Sequence, residues 1–129
     1  MLKHTKNLLE RNSFLIAISL TLLIAYLSLS KPIEIEIPIK ITFLDKILHA
    51  SAYFTLTLSW LFALRKKSKF KLISIAIFLY GILMEFLQGW LTNTRQKDIY
   101  DVFANSLGIL ISLFIFDSFY KYLKKIFDS

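Results

Sequence analysis

The chain of 129 residues is 56% apolar and 19% charged, with a mean hydropathy of +0.58, whereas a soluble domain has about 45–50% apolar and roughly 25% charged residues. That composition excludes intrinsic disorder, which needs low hydrophobicity. The absence of cysteine excludes a disulfide scaffold, a thiol nucleophile and a Cys-based zinc site.

Four apolar segments follow in chain order. The first, Ser13 to Ser30, contains no charge. A basic stretch precedes it and Ser28-Leu29-Ser30 resembles a cleavage site, but the run exceeds the h-region of a signal peptide, about 7–15 residues, so an uncleaved span is expected. The next segment, Ile33-Glu34-Ile35-Glu36-Ile37-Pro38-Ile39-Lys40-Ile41, alternates strictly. It predicts an extended stretch with one apolar side, confined by Pro38 to an edge or short hairpin. A second span covers about 47–64 and is interrupted by His49. The third covers about 72–91 and contains Glu85, and the fourth, about 99–118, contains Asp101, Asn105 and Asp117. Each matches the roughly 20 residues of helix that a hydrocarbon core requires. The spans leave short loops and tails, so residues 1–129 read as one all-α integral membrane domain, a four-helix bundle. A soluble bundle would need a polar face on every helix, and the first segment offers only Ser and Thr.

The net charge of +7 would suggest nucleic acid in a soluble chain. Here eleven basic residues fall on one side, in the N-terminal tail, in the loop Arg65 to Lys71 and in the C-terminal tail. Only Lys31, Lys40, Lys46, Arg95 and Lys97 fall on the other. The positive-inside rule then places both termini in the cytoplasm of a cell-membrane protein. The charge is topology, and no nucleic-acid partner is expected. Trp60, Trp90, Tyr100 and Tyr120 lie near span ends, where an aromatic belt belongs.

Ionisable groups within spans are costly, about 2.5–3.5 kcal/mol on insertion scales, and face the bundle interior. Their spacing here is helical. Asp45, His49 and Tyr53 share a face of span two; Gly81, Glu85 and Gln88 share one of span three; Asp101, Asn105, Gly108 and Ser112 share one of span four. Small and polar stripes of this kind let helices approach and satisfy each other's polar groups. Span one carries only hydroxyls and reads as a peripheral strut. The stripes converge toward the extracytoplasmic half, where Asp45, Lys46, Arg95, Asp98 and Asp101 ring a mouth.

These blocks, Asp45-Lys46-x-x-His49-x-x-x-Tyr53, Gly81-x-x-x-Glu85-x-x-Gln88 and Arg95-x-x-Asp98-x-x-Asp101-x-x-Ala104-Asn105-x-x-Gly108, resemble the VanZ-like family of small bacterial membrane proteins over about residues 43–116. Ser112 departs from a second glycine often found there, a mild change between small residues. The family is named for a protein linked to low-level resistance to the glycopeptide teicoplanin. The resemblance implies a membrane location and a cell-envelope role connected with antibiotic resistance, and it implies no reaction.

Each polar residue has two readings. Glu85 is a general acid–base group or head-group ligand, or else interhelical glue bonded to Gln88, His49 or Asn105. His49 is a base oriented by Asp45 one turn earlier, or a satisfied interhelical hydrogen bond. Asp101 is a site residue or a favourable charge at a helix N-terminus, with Asp98 better placed as the N-cap. Lys46 and Arg95 are anion binders, although Lys46 can instead snorkel to the interface and Arg95 can pair with Asp98 or Asp101. Asn105 holds these in place. His49 with the carboxylates makes a metal set conceivable, but there is no H-E-x-x-H helix, Gly-rich phosphate loop or G-x-S-x-G elbow. No metal and no cofactor are assigned.

The leading expectation is an outward-facing pocket for an anionic envelope component, a lipid phosphate or cell-wall precursor. Glu85, His49 and Asp101 are its catalytic candidates; Asp45, Lys46, Tyr53, Gln88, Arg95, Asp98 and Asn105 are its ligand-binding candidates. The alternatives are a membrane-embedded hydrolase or transferase acting on an envelope lipid, and a structural or assembly subunit of a membrane complex.

Overall fold

In the computed structural model, residues 2–29, 41–64, 66–91 and 99–128 are described, and among them the only regular structure is helical. The helices are α1 (Leu2–Leu29), α2 (Ile41–Leu64), α3 (Phe70–Leu91) and α4 (Ile99–Asp128), with a 3-10 turn at Lys67–Lys69. All four are long and apolar enough to cross a membrane. Even α3, at 22 residues, spans about 33 Å at 1.5 Å per residue, enough for a hydrocarbon core of about 30 Å. Apart from Ile41, with which α2 begins, the alternating segment lies outside the described residues.

Two helices run beyond the spans read from hydropathy. α1 begins at Leu2 rather than near residue 13, and α4 continues to Asp128 rather than ending near 118. The added turns carry Lys3, Arg11, Lys121 and Lys125, all exposed. Hydropathy marks the part of a helix that sits in lipid, whereas backbone hydrogen bonding continues past it into the charged flanks.

The outward faces are apolar. Phe114 is 76% exposed, Leu22 66% and Leu110 62%, and a surface this greasy needs lipid to cover it. The hydroxyls in the spans are mostly satisfied within their own helices: Thr21 donates to the Ala17 carbonyl at 2.8 Å, Thr55 to Ser51, Ser74 to Phe70 and Ser106 to Val102. This back-bonding lets hydroxyls sit in a segment without water.

The most extensive helix contact is between α2 and α4, and Gly108 explains its closeness. A Cβ at Gly108 would lie 2.2 Å from the Ala50 carbonyl oxygen and 2.9 Å from the Phe54 nitrogen, so only a glycine lets the two backbones touch there. Leu56, Leu61, Ile73, Ile77, Ile109 and Phe116 build the core. At one end Phe70 packs edge-on to Phe116 and Tyr120, each with centroids 5.4 Å apart. Tyr120 is half-buried and packs against the core, while Trp90 and Tyr100, 72% and 66% exposed, have the outward position expected of a belt.

α1 is more than a strut. Its Thr21 takes a hydrogen bond from Trp60 Nε1 at 2.9 Å on Oγ1 and one from the Tyr80 hydroxyl at 2.5 Å on its carbonyl. One residue thus ties α1 to α2 and α3.

Candidate functional site

The polar stripes meet at the end of the bundle where α2 and α4 begin and α1 and α3 finish. Asp45, Lys46 and His49 come from the first turns of α2, and Asp101 and Asn105 from those of α4. Gly81, Glu85 and Gln88 lie in the second half of α3. Because α2 and α4 touch at Gly108, polar residues one or two turns nearer their starts are brought within bonding distance.

Asp101 is 5% exposed and Asn105 3%. Lys46 Nζ bonds Asp101 Oδ1 across the interface and lies 3.5 Å from Asp45 Oδ2. Snorkelling therefore does not describe Lys46: its side chain, 22% exposed, is drawn inward onto the α4 carboxylate. Two ammonium–carboxylate contacts also offset a cation at the unfavourable, positive end of the α2 dipole. Asp101 keeps its place in the first turn of α4, and its partner there is a lysine 55 residues earlier.

His49 has three oxygen neighbours. Its Nδ1 lies 3.2 Å from Asn105 Oδ1, while Nε2 lies 3.5 Å from Asp101 Oδ2 and 3.7 Å from Asp45 Oδ1. The expected i, i+4 carboxylate is present but is the more distant of two, and the nearest neighbour is the Asn105 amide. His49 is an interhelical junction.

Glu85 and Gln88 are buried, at 6% and 3% exposed, and both engage partners within the protein. Gly81 makes room on the same face: a Cβ there would stand 3.1 Å from both Asn105 Nδ2 and Tyr53 Cε1. Tyr53 itself is 2% exposed and packs against Tyr80, with centroids 6.3 Å apart.

A cleft of about 270 Å³ opens beside this network, lined by the polar side chains of Asp45, His49, Tyr53 and Gln88 together with Ile24, Leu27, Ser28 and Leu48. The α1 contribution had no signal in the sequence beyond a serine near the span end. The structure thus joins Asp45, Lys46, His49, Asp101 and Asn105 directly and gathers Tyr53, Glu85 and Gln88 close by. Arg95 and Asp98 lie outside the described residues.

The VanZ/LLP1 family model matches residues 3–120, almost the whole chain. The chain belongs to this family. In this VanZ-like protein the match takes in α1 as well as the three helices whose motifs carried the resemblance. No curated protein and no solved structure matches the chain. In this chain's four-helix bundle, Asp101, Asn105, Glu85 and Gln88 are buried toward one end, on and beside the α2–α4 pair.

Proposed function

We propose that this VanZ-like protein binds an anionic, lipid-anchored component of the cell envelope, a lipid phosphate or cell-wall precursor. The observation that carries this reading is the cleft's mixed lining, in which Asp45, His49, Tyr53 and Gln88 stand among Ile24, Leu27 and Leu48. Such a lining suits the junction between a head group and its chain, as small-molecule sites combine apolar lining with a few placed polar groups. Leu27 and Leu48 are 53% and 59% exposed, so a chain leaving the cleft continues along lipid-facing surface. The Gln88 amide, the Tyr53 hydroxyl, Lys46 and Arg95 are the donors for the head group. The basic-residue distribution supports both termini in the cytoplasm and the cleft at the extracytoplasmic face of the cell membrane. A protein holding a wall precursor there would alter sensitivity to glycopeptides such as teicoplanin.

Native mass spectrometry of the detergent-purified protein tests the reading. A phospholipid or polyprenyl phosphate bound to the wild type and lost from Gln88→Ala and Arg95→Ala is the expected result. Equal retention in both variants would refute it.

His49 favours a second reading, a hydrolase or transferase acting on the ester or phosphoester of such a lipid. An imidazole set between two carboxylates and an amide is oriented as a general base is. Turnover of a lipid phosphoester in vesicles, abolished in folded His49→Gln and Glu85→Gln, is its expected signature; full turnover in either variant removes it.

A further inference from the structure

Among the described residues, the two carboxylates Asp45 and Asp101 share one ammonium, that of Lys46. Binding an anion beside such a group is electrostatically unfavourable unless a further positive charge joins it.

The histidine points to where that charge sits. A neutral imidazole donating Nδ1–H to Asn105 Oδ1 at 3.2 Å turns the lone pair of Nε2 toward Asp101 Oδ2 and Asp45 Oδ1, at 3.5 and 3.7 Å. One ligand atom from each of the three side chains lies within 4.8 Å of the others. Ligands held about 2.0–2.2 Å from a tetrahedral ion are about 3.4 Å apart, close to both histidine–carboxylate separations. A metal-bound histidine also characteristically gives its other N–H to an acceptor that fixes the ring, the place Asn105 occupies. The absence of H-E-x-x-H rules out only a single-helix ligand set, whereas these ligands come from two helices joined at Gly108.

We propose that Asp45, His49 and Asp101 form a site for a divalent cation of the Zn²⁺ or Mn²⁺ class, with Lys46 as the internal counter-ion that holds Asp101 when the ion is away. Mixed imidazole and carboxylate donors suit such ions. Three protein ligands leave coordination positions open, and since Asp45 and His49 line the cleft, those positions face it. The ion gives the cleft the positive charge needed to take a phosphate or carboxylate. This last step rests on the head-group reading; the metal site itself does not.

The test is Mn²⁺ titration of the full-length protein in nanodiscs of zwitterionic lipid, read by electron paramagnetic resonance of the free ion, with Zn²⁺ as competitor. One Mn²⁺ per chain is expected, with imidazole nitrogen coupling in the pulsed spectrum. Binding should disappear in His49→Ala and Asp45→Asn, weaken about 10–100-fold in Asn105→Ala, and tighten in Lys46→Met, where the competing ammonium is gone. Asp45, with a side chain 44% exposed, is the ligand whose replacement least disturbs packing, and circular dichroism checks each variant's fold. Weaker binding in Lys46→Met, or Mn²⁺ and Zn²⁺ affinity unchanged in folded Asp45→Asn, would overturn the site. A parallel arm adds polyprenyl phosphate to the nanodiscs with and without EDTA. Mn²⁺ bound but no lipid phosphate retained keeps the metal site and removes the head-group reading. Lipid phosphate retained equally in EDTA, with no Mn²⁺ bound, removes the metal site and keeps the reading.

Discussion

Gly108 and Gly81 lie on neighbouring helices and face the same interior, yet they should respond differently to alanine. In a helix, Gly→Ala gains about 1 kcal/mol from propensity alone. At Gly108 the new methyl would meet the Ala50 carbonyl oxygen at 2.2 Å and the Phe54 nitrogen at 2.9 Å. Both are backbone atoms, so no rotamer relieves the overlap and α2 must move away from α4. Overpacking of a core costs typically 1–3 kcal/mol and occasionally more, and a backbone overlap this deep belongs at the upper end. After the propensity gain, Gly108→Ala should destabilise by about 2 kcal/mol. At Gly81 the methyl would stand 3.1 Å from Asn105 Nδ2 and Tyr53 Cε1, side-chain atoms that can yield a few tenths of an ångström. That cost is about equal to the propensity gain, so Gly81→Ala should stay within about 0.5 kcal/mol of wild type. Equilibrium unfolding by steric trapping in bicelles measures both. Displacing α2 would also pull Lys46 from Asp101 and His49 from Asn105, so Gly108→Ala should lose bound lipid or metal as well. A Gly108→Ala protein as stable as Gly81→Ala would refute the close-contact account of the α2–α4 interface.

Trp60→Phe and Tyr80→Phe each remove one hydrogen bond to Thr21; each should cost about 0.6 kcal/mol, with 1.7 as a ceiling, in the same unfolding assay. Lys46→Met and Asp101→Leu each break an ion pair whose carboxylate is buried, and each alone should destabilise by about 2 kcal/mol, less than a fully buried pair because Lys46 can still reach water. The double variant should return close to wild-type stability, and a strictly additive double-mutant cycle would show the two groups do not interact. Asp117→Asn breaks the contact to Lys67 at 3.8 Å, where both side chains are more than half exposed, and should shift stability by less than about 0.5 kcal/mol. Since the chain has no cysteine, Ser68→Cys and Thr94→Cys can be labelled without background. Impermeant maleimide added to intact cells should reach position 94 and spare position 68; the reverse pattern would invert the proposed orientation.

The spans were legible because a long apolar run has few alternatives, and the polar stripes because i, i+4 and i, i+7 spacing fixes a helix face regardless of tertiary detail. Periodicity alone therefore places Glu85, Gln88, Asp101 and Asn105 on the faces that are buried, with His49 half-buried and Asp45 at the more open end of its stripe. Pairing between helices was not legible. Nothing in one sequence says that Lys46 chooses Asp101 across the interface over its neighbour Asp45, or that His49 lies closer to Asn105 than to Asp45, because both depend on how near Gly108 lets α2 and α4 come. Thr21 was missed for a related reason: a hydroxyl in an apolar run normally bonds its own helix, as Thr21 also does, and only the approach of Trp60 and Tyr80 makes it a junction. Trp60 and Tyr120 stand near span ends and are half-buried, and their contacts with Thr21 and with Phe70 were not legible, because nearness to a span end is a statement about depth, not about which side of the helix a ring occupies.

The separation of packing and chemistry along the bundle has a consequence for reading loss-of-function variants. The end bearing Phe70, Phe116 and Tyr120 is held by aromatic contacts, and the middle by Thr21, Leu56 and Leu61. Neither needs the polar cluster to cover apolar surface. The cluster end closes with an ion pair and an imidazole–amide contact, interactions that return little net stability once desolvation is counted. If these residues served only to glue helices, leucine-like replacements would do so at lower cost, as buried ion pairs exchanged for apolar groups often show. A structural subunit therefore predicts that apolar replacement of Lys46 together with Asp101 preserves both stability and cellular function. A binding site predicts that the same replacement preserves stability and abolishes function, and complementation of a deletion strain by the folded double variant decides between them.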